Sequence, residues 1–178
     1  MAILAANACG RRQDTPPAFK PTATVKDIML SIIDPQSDVI FNSVATIISA
    51  AGTEERRPRT DEEWAGVRRG AIALIEASNL LLIPGRQVAR PGEKSENPRI
   101  ELQPETIQQL IAEDPATWTR LATALHDAAT PALQAIDTRN AEALFDIGDK
   151  VEQSCESCHQ HYWYPPGHAP AWKKESEQ

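Results

Sequence analysis

A chain of 178 residues, 41% hydrophobic and 5% aromatic, is long enough for one domain with a hydrophobic core. Alanine, leucine and charged residues dominate, and β-branched runs are few, which favours helices over sheets. The formal charge of −7 argues against nucleic acid as a partner, because phosphate repels an acidic surface. Three cysteines do not make a disulfide framework, and no stretch is long and apolar enough to cross a membrane.

The first nine residues, Met-Ala-Ile-Leu-Ala-Ala-Asn-Ala-Cys, read like the end of an export signal, with small residues leading to a lipoprotein-type cysteine at Cys9. They lack a basic leading region and a full apolar core, so the signal is partial; the other reading is a disordered tail. Gly10 to Pro21, rich in Arg, Pro and Thr, reads as a tether.

Four helical segments follow. The first is expected from about Thr24 to Ser49, with Val25, Ile28, Met29, Ile32 and Ile33, then Ile40, Val44, Ile47 and Ile48, at helical spacing. Asp34-Pro35 interrupts it and predicts a kink or restart, with Asp34 able to cap the second half. The second opens on Thr60-Asp61-Glu62-Glu63, a capping-box pattern, and continues through Trp64, Val67, Ala71, Leu74, Ser78 and Leu81 until Pro84-Gly85. A long loop from Arg86 to Gln103 and a short accessory helix from Pro104 to Ala112 come next. The third main helix is expected from about Pro115 to Ile136 through Trp118, Leu121, Leu125 and Ala129, with a kink or a local irregularity at Pro131. The fourth runs from Asp137 or Thr138 to Tyr162, and Pro165-Pro166-Gly167 stops it before a mobile tail. No strand alternation stands out. The fold class is therefore all-α, an antiparallel four-helix bundle with the long loop and accessory helix between helices 2 and 3.

Cys155-Glu156-Ser157-Cys158-His159 carries the chemistry. Cys-x-x-Cys-His is the attachment signature of c-type haem. On a helix the three residues stand at i, i+3 and i+4 and project to one face, so two thiols reach two haem vinyl groups and His159 lies beneath the iron. Leu144, Ile147, Gly148, Val151 and Tyr162 extend the same seam. The competing readings are a reactive dithiol, which ordinarily opens a helix after a strand, a Cys155–Cys158 disulfide, and a zinc site completed by His161 or His168.

A Cys-x-x-Cys-His near the C-terminus of a four-helix chain, followed three residues later by Tyr162, resembles the class II c-type cytochromes: the cytochrome c-prime group and its low-spin relatives. The resemblance covers about residues 23–164. Where those proteins usually carry Arg or Lys after the tyrosine, this chain has Trp163. It implies that the first helix supplies the residue on the distal side of the iron. Met29, the one methionine besides Met1, stands there, either as a thioether ligand or as core packing.

His126 is the second distal candidate. His161 lies about 200° around the helix from His159 and points away. Arg68, Arg69 and Arg86 are either partners for haem propionates or solvated side chains.

The resulting expectation is an exported, periplasmic one-electron carrier, soluble or lipid-anchored at Cys9, with haem c held by Cys155, Cys158 and His159 and with Met29 as distal ligand. Its domains would be 1–22 (partial signal and tether), 23–164 (haem bundle) and 165–178 (tail). Partners would be redox proteins, a basic one suiting the acidic charge, and a homodimer through the first two helices is allowed by the resemblance. The alternative is a five-coordinate haem that binds nitric oxide or carbon monoxide. Enzymatic peroxide chemistry needs a distal acid–base group, which the first helix lacks.

Overall fold

A computed structural model describes residues 19–50 and 52–164. The expected export signal with Cys9, most of the tether, the tail and His168 lie outside the described residues. The chain is mostly helical, with one two-stranded sheet.

Thr24 opens α1 (Val25–Ile28) with a capping box: its hydroxyl accepts from the Asp27 amide at 3.0 Å, and its own amide donates to the Asp27 carboxylate at 3.0 Å. Helix α1 runs through a π-helical turn (Met29–Ile33) directly into α2 (Asp34–Ser43). The Asp34 amide donates to the Met29 carbonyl, five residues back. Proline lacks an N–H and clashes with the carbonyl four residues before it, so a widened turn just ahead of Pro35 lets the helix continue. The interruption expected at Asp34-Pro35 thus takes the form of a π turn, and Asp34 makes no side-chain cap there.

The expectation of helix as far as Ser49 fails after Ser43. Val44 turns extended (φ −135°, ψ 119°), and β1 (Ala45–Ser49) pairs antiparallel with β2 (Gly52–Arg56), from Ala45 opposite Arg56 to Ser49 opposite Gly52. Val44, Thr46, Ile47 and Ile48 are β-branched and favour extended backbone. Gly52, at φ +127°, supplies the left-handed residue of the turn.

Helix α3 (Asp61–Leu81) begins at the expected capping box, with the Glu63 amide donating to Thr60 Oγ1 at 3.2 Å and Glu63 accepting from the Thr60 amide at 2.8 Å. Its expected stripe from Trp64 to Leu81 is buried throughout. The accessory helix α4 (Pro104–Glu113) is present, and Asp114 caps α5 (Pro115–Ala129) by accepting from the Thr117 amide. The irregularity expected at Pro131 is an interruption of one residue, Thr130, which keeps helical angles, after which α6 (Pro131–Asp137) begins. Helix α7 (Ala141–Tyr162) starts later than expected, because Arg139 takes a left-handed conformation (φ 52°) and Asn140 caps the Ala143 amide.

Helix α3 packs against α2, α5 and α6, and α7 packs against α5, α6, α2 and α4 around one buried cluster. Two glycines mark close approaches to α2: Gly70 faces Val39, and Gly148 faces Phe41. The long loop is tied down at both ends. Gln87 and Val88 carbonyls accept from the otherwise free amides of Val25 and Lys26, and the Leu102 amide donates to the Trp163 carbonyl at 2.7 Å. No helix among the described residues is long and apolar enough to cross a membrane.

Candidate functional site

Helix α7 buries Leu144, Ile147, Val151 and Tyr162 along one stripe, and the half-buried Cys155 and Cys158 continue that stripe against the same core. Thiol, thiol and imidazole therefore stand on one side of one helix, a turn apart, as their spacing requires. The two cysteines are free thiols rather than a disulfide.

Burial pushes the Cys155 thiol up to about 11, with Glu152, Asp34 and Glu156 adding to the shift, and the Cys158 thiol up to about 12. Both are protonated at neutral pH, and among the described residues no cation lowers either value, the reverse of a redox-active dithiol at a helix N-terminus. Burial holds His159 below its ordinary value, while Glu156 and Asp34 act the other way. A neutral imidazole is the form that ligates a metal. Two neutral thiols one turn apart, with an imidazole on the adjoining position of an apolar face, fit the donor set of a covalently held haem.

The surroundings of His159 are aromatic. Trp163 meets the imidazole in a T-shaped contact, with centroids 4.9 Å apart and planes at 84°, where the resembled family usually has a cation. Tyr162 is buried edge-on against Trp118 at 5.4 Å. Asp34 is the first-helix group whose charge is felt at both Cys155 and His159. Its position just past the π turn, where α2 comes against α7, explains this. Sequence reading took it for a cap; only the packing of α2 on α7 shows the proximity.

Met29 is half-buried in the π turn, packed on the core, and that turn makes its principal interhelical contacts with α3. His126 lies on α5 with its ring nitrogen 3.1 Å from Asp127. His161 is exposed and packs on Tyr162. Of the arginines, Arg68 pairs with Asp137 at 3.1 Å and Arg69 with Glu62 at 3.0 Å, both at the surface. Arg86 donates to the carbonyls of Leu80 (2.8 Å) and Ala23, joining the end of α3 to the start of α1. All three are thus engaged within the protein. Among the described residues, no three His, Cys, Asp or Glu side chains converge as a metal-holding group, so the zinc reading gains no ligand set there. No protein-family model matches the chain, and no curated protein or solved structure shows significant similarity to it.

Proposed function

We propose that this chain is an exported c-type cytochrome of class II type. The observation that carries the reading is the placement of Cys155, Cys158 and His159 on one half-buried face of α7, continuous with its apolar stripe. Each thiol would add its S–H across a haem vinyl group, forming a C–S bond and leaving an ethyl bridge, with no oxidant or reductant consumed. His159 would hold the iron from the proximal side, and the bound group would supply a one-electron ferric–ferrous couple. The two half-buried sulfurs continue the apolar stripe of α7, which would seat one edge of the group against the core. The long segments α1–α2, α3, α5–α6 and α7 would form the four walls of an antiparallel bundle around it. Met29, in the apolar stripe of the first wall, would be the distal ligand, raising the potential as a thioether does. Attachment of this kind takes place outside the cytoplasmic membrane, so the protein would work in the periplasm, exchanging single electrons with redox partner proteins.

One observation favours a second reading. The turn that carries Met29 leans on α3, whereas α7 rests on α2, α5 and α6. If the thioether stays short of the iron, the haem would be five-coordinate and would take up nitric oxide or carbon monoxide.

The chain made in a host with the haem-attachment machinery should keep its haem through acid extraction and a denaturing gel. Cys155→Ser with Cys158→Ser should lose it. Loss of haem from the wild type under acid extraction would overturn the covalent assignment. A low-spin ferric spectrum with a methionine-to-iron charge-transfer band, abolished in Met29→Ala, is the expected signature of the carrier. A high-spin spectrum with ready carbon monoxide binding would instead establish the gas binder.

A further inference from the structure

A metal-bound histidine is ordinarily aimed by a hydrogen bond from its second ring nitrogen to a carboxylate or carbonyl. Among the described residues, no group makes such a bond with the ring of His159; Asp34 and Glu156 act on it through space. What meets the ring is Trp163, at 4.9 Å and 84°. The backbone around this pair is fixed on both sides. The amides of Trp163 and Tyr164 both donate to the His159 carbonyl, at 2.7 and 3.1 Å, and the Trp163 carbonyl accepts from Leu102. The Trp163 backbone is thus anchored to the long loop, and its partly exposed indole stands one turn beyond the imidazole.

We infer that Trp163 is a positioning residue, its indole setting the rotation of the His159 imidazole in place of a hydrogen bond. A T-shaped aromatic contact is directional, and the torsion that turns an imidazole has broad wells that such a contact can narrow. The consequence for the iron rests on the haem reading above; the packing itself does not.

The test uses the full chain, haem-free and haem-loaded, as wild type, Trp163→Phe and Trp163→Ala. In the haem-free chain, the indole ring current should displace the His159 ring-proton resonances. Trp163→Ala should abolish the displacement and Trp163→Phe should keep most of it. In the loaded chain, Trp163→Ala should shift and broaden the ferric electron paramagnetic resonance signal and move the reduction potential, and Trp163→Phe should restore both. The inference is overturned if Trp163→Ala leaves the His159 resonances in place. It is equally overturned if haem content is normal and the ferric signal and potential do not change. A chain that takes up no haem would sink the cytochrome reading, and the resonance shifts would then decide the role of Trp163 alone. Should the alanine variant fold poorly, loss of the ring-proton displacement in a folded Trp163→Leu chain serves in its place.

Discussion

Tyr162 and Trp118 form an aromatic pair with unequal polar ends. The Trp118 indole N–H donates to the Leu81 carbonyl at 3.2 Å, so burying it leaves nothing unpaired. The Tyr162 hydroxyl, on a residue only 3% exposed, has no hydrogen-bond partner among the described residues. A buried hydroxyl without a partner carries its full desolvation cost, about 1–3 kcal/mol. Tyr162→Phe keeps the ring contact and removes that cost, so it should leave the haem-free chain as stable as wild type or about 1 kcal/mol more stable in urea unfolding. A loss of more than about 1 kcal/mol would mean that the hydroxyl has a partner after all. The cysteines obey the same economy of burial: desolvation raises their thiols to about 11 and about 12, and the one backbone hydrogen bond at Cys155 does not offset it. Thiol-reactive reagents should therefore act on them slowly at neutral pH in the haem-free chain.

At the scale of elements, α2 is wedged between α3 and α7, and the two glycines that face it are not equivalent. A Cβ at Gly70 would stand 2.7 Å from Val39 Cγ1 and 3.0 Å from Val39 Cβ, too close for either helix to ignore. A Cβ at Gly148 would meet Phe41 at 3.6 Å, an ordinary contact. Alanine gains about 1 kcal/mol over glycine in a helix interior, while forced overpacking costs about 1–3 kcal/mol. Gly70→Ala should therefore be destabilising by about 1–2 kcal/mol and Gly148→Ala neutral or stabilising, read as opposite shifts of the urea midpoint. Equal responses at the two sites would contradict the close approach of α2 to α3.

The same helix shows what was legible beforehand. The stripe of α3 and the seam of α7 follow steps of three and four; the first is buried throughout, and the second is buried at Leu144, Ile147, Val151 and Tyr162 and half-buried at Gly148, Cys155 and Cys158. In the first helix, as expected from sequence, the buried positions are Thr24, Ile28, Ile33, Ser37, Ile40 and Val44. The step of five from Ile28 to Ile33 is the trace of the π turn. It was masked because Met29 and Ile32 are also apolar and fit a regular helix. The hairpin was hidden for a related reason: Val44, Ile47 and Ile48 satisfy helical spacing, yet their branching and Gly52 favour the extended chain. Ile48 is 81% exposed, so no burial enforces either period. The paired strand β2 carries Glu54, Glu55 and Arg56, charges that blunt its open edge. At the candidate site, the motif spacing places Cys155, Cys158 and His159 on one face of α7, but Asp34 and Trp163 reach it through packing and a T-shaped contact that one-dimensional spacing does not encode.

Across the whole molecule, the fold is fastened by carboxylates at helix starts and by a loop that links both ends of the described chain. Asp27 closes α1 and also holds Arg90 of the loop at 2.8 Å. Glu63 closes α3, accepting from the Arg59 amide at 2.7 Å and from Thr60, and Asp114 closes α5. Backbone hydrogen bonds, from Thr24, Arg59 and Thr117 respectively, hold all three carboxyls below their ordinary values of 3.8 for Asp and 4.5 for Glu. A carboxyl whose folded value is depressed binds fewer protons in the folded chain than in the unfolded one. Its contribution is complete above the ordinary value and is lost as the pH falls through the depressed one. The overall charge acts in the same sense. The chain is near neutral at its isoelectric point of about 5.1, and below it the 18 Lys and Arg and four His residues build up positive repulsion as the carboxylates protonate. Stability should therefore hold between about pH 5 and 8 and fall steeply below 4.5. Asp27→Asn with Glu63→Gln should flatten that acid limb while leaving its general charge-driven decline. Urea midpoints collected between pH 3 and pH 7 would separate the two contributions, because the cap part disappears in the double variant and the charge part responds to added salt. An acid limb unchanged by the two substitutions would show that the caps contribute nothing to the pH dependence and that repulsion alone sets it.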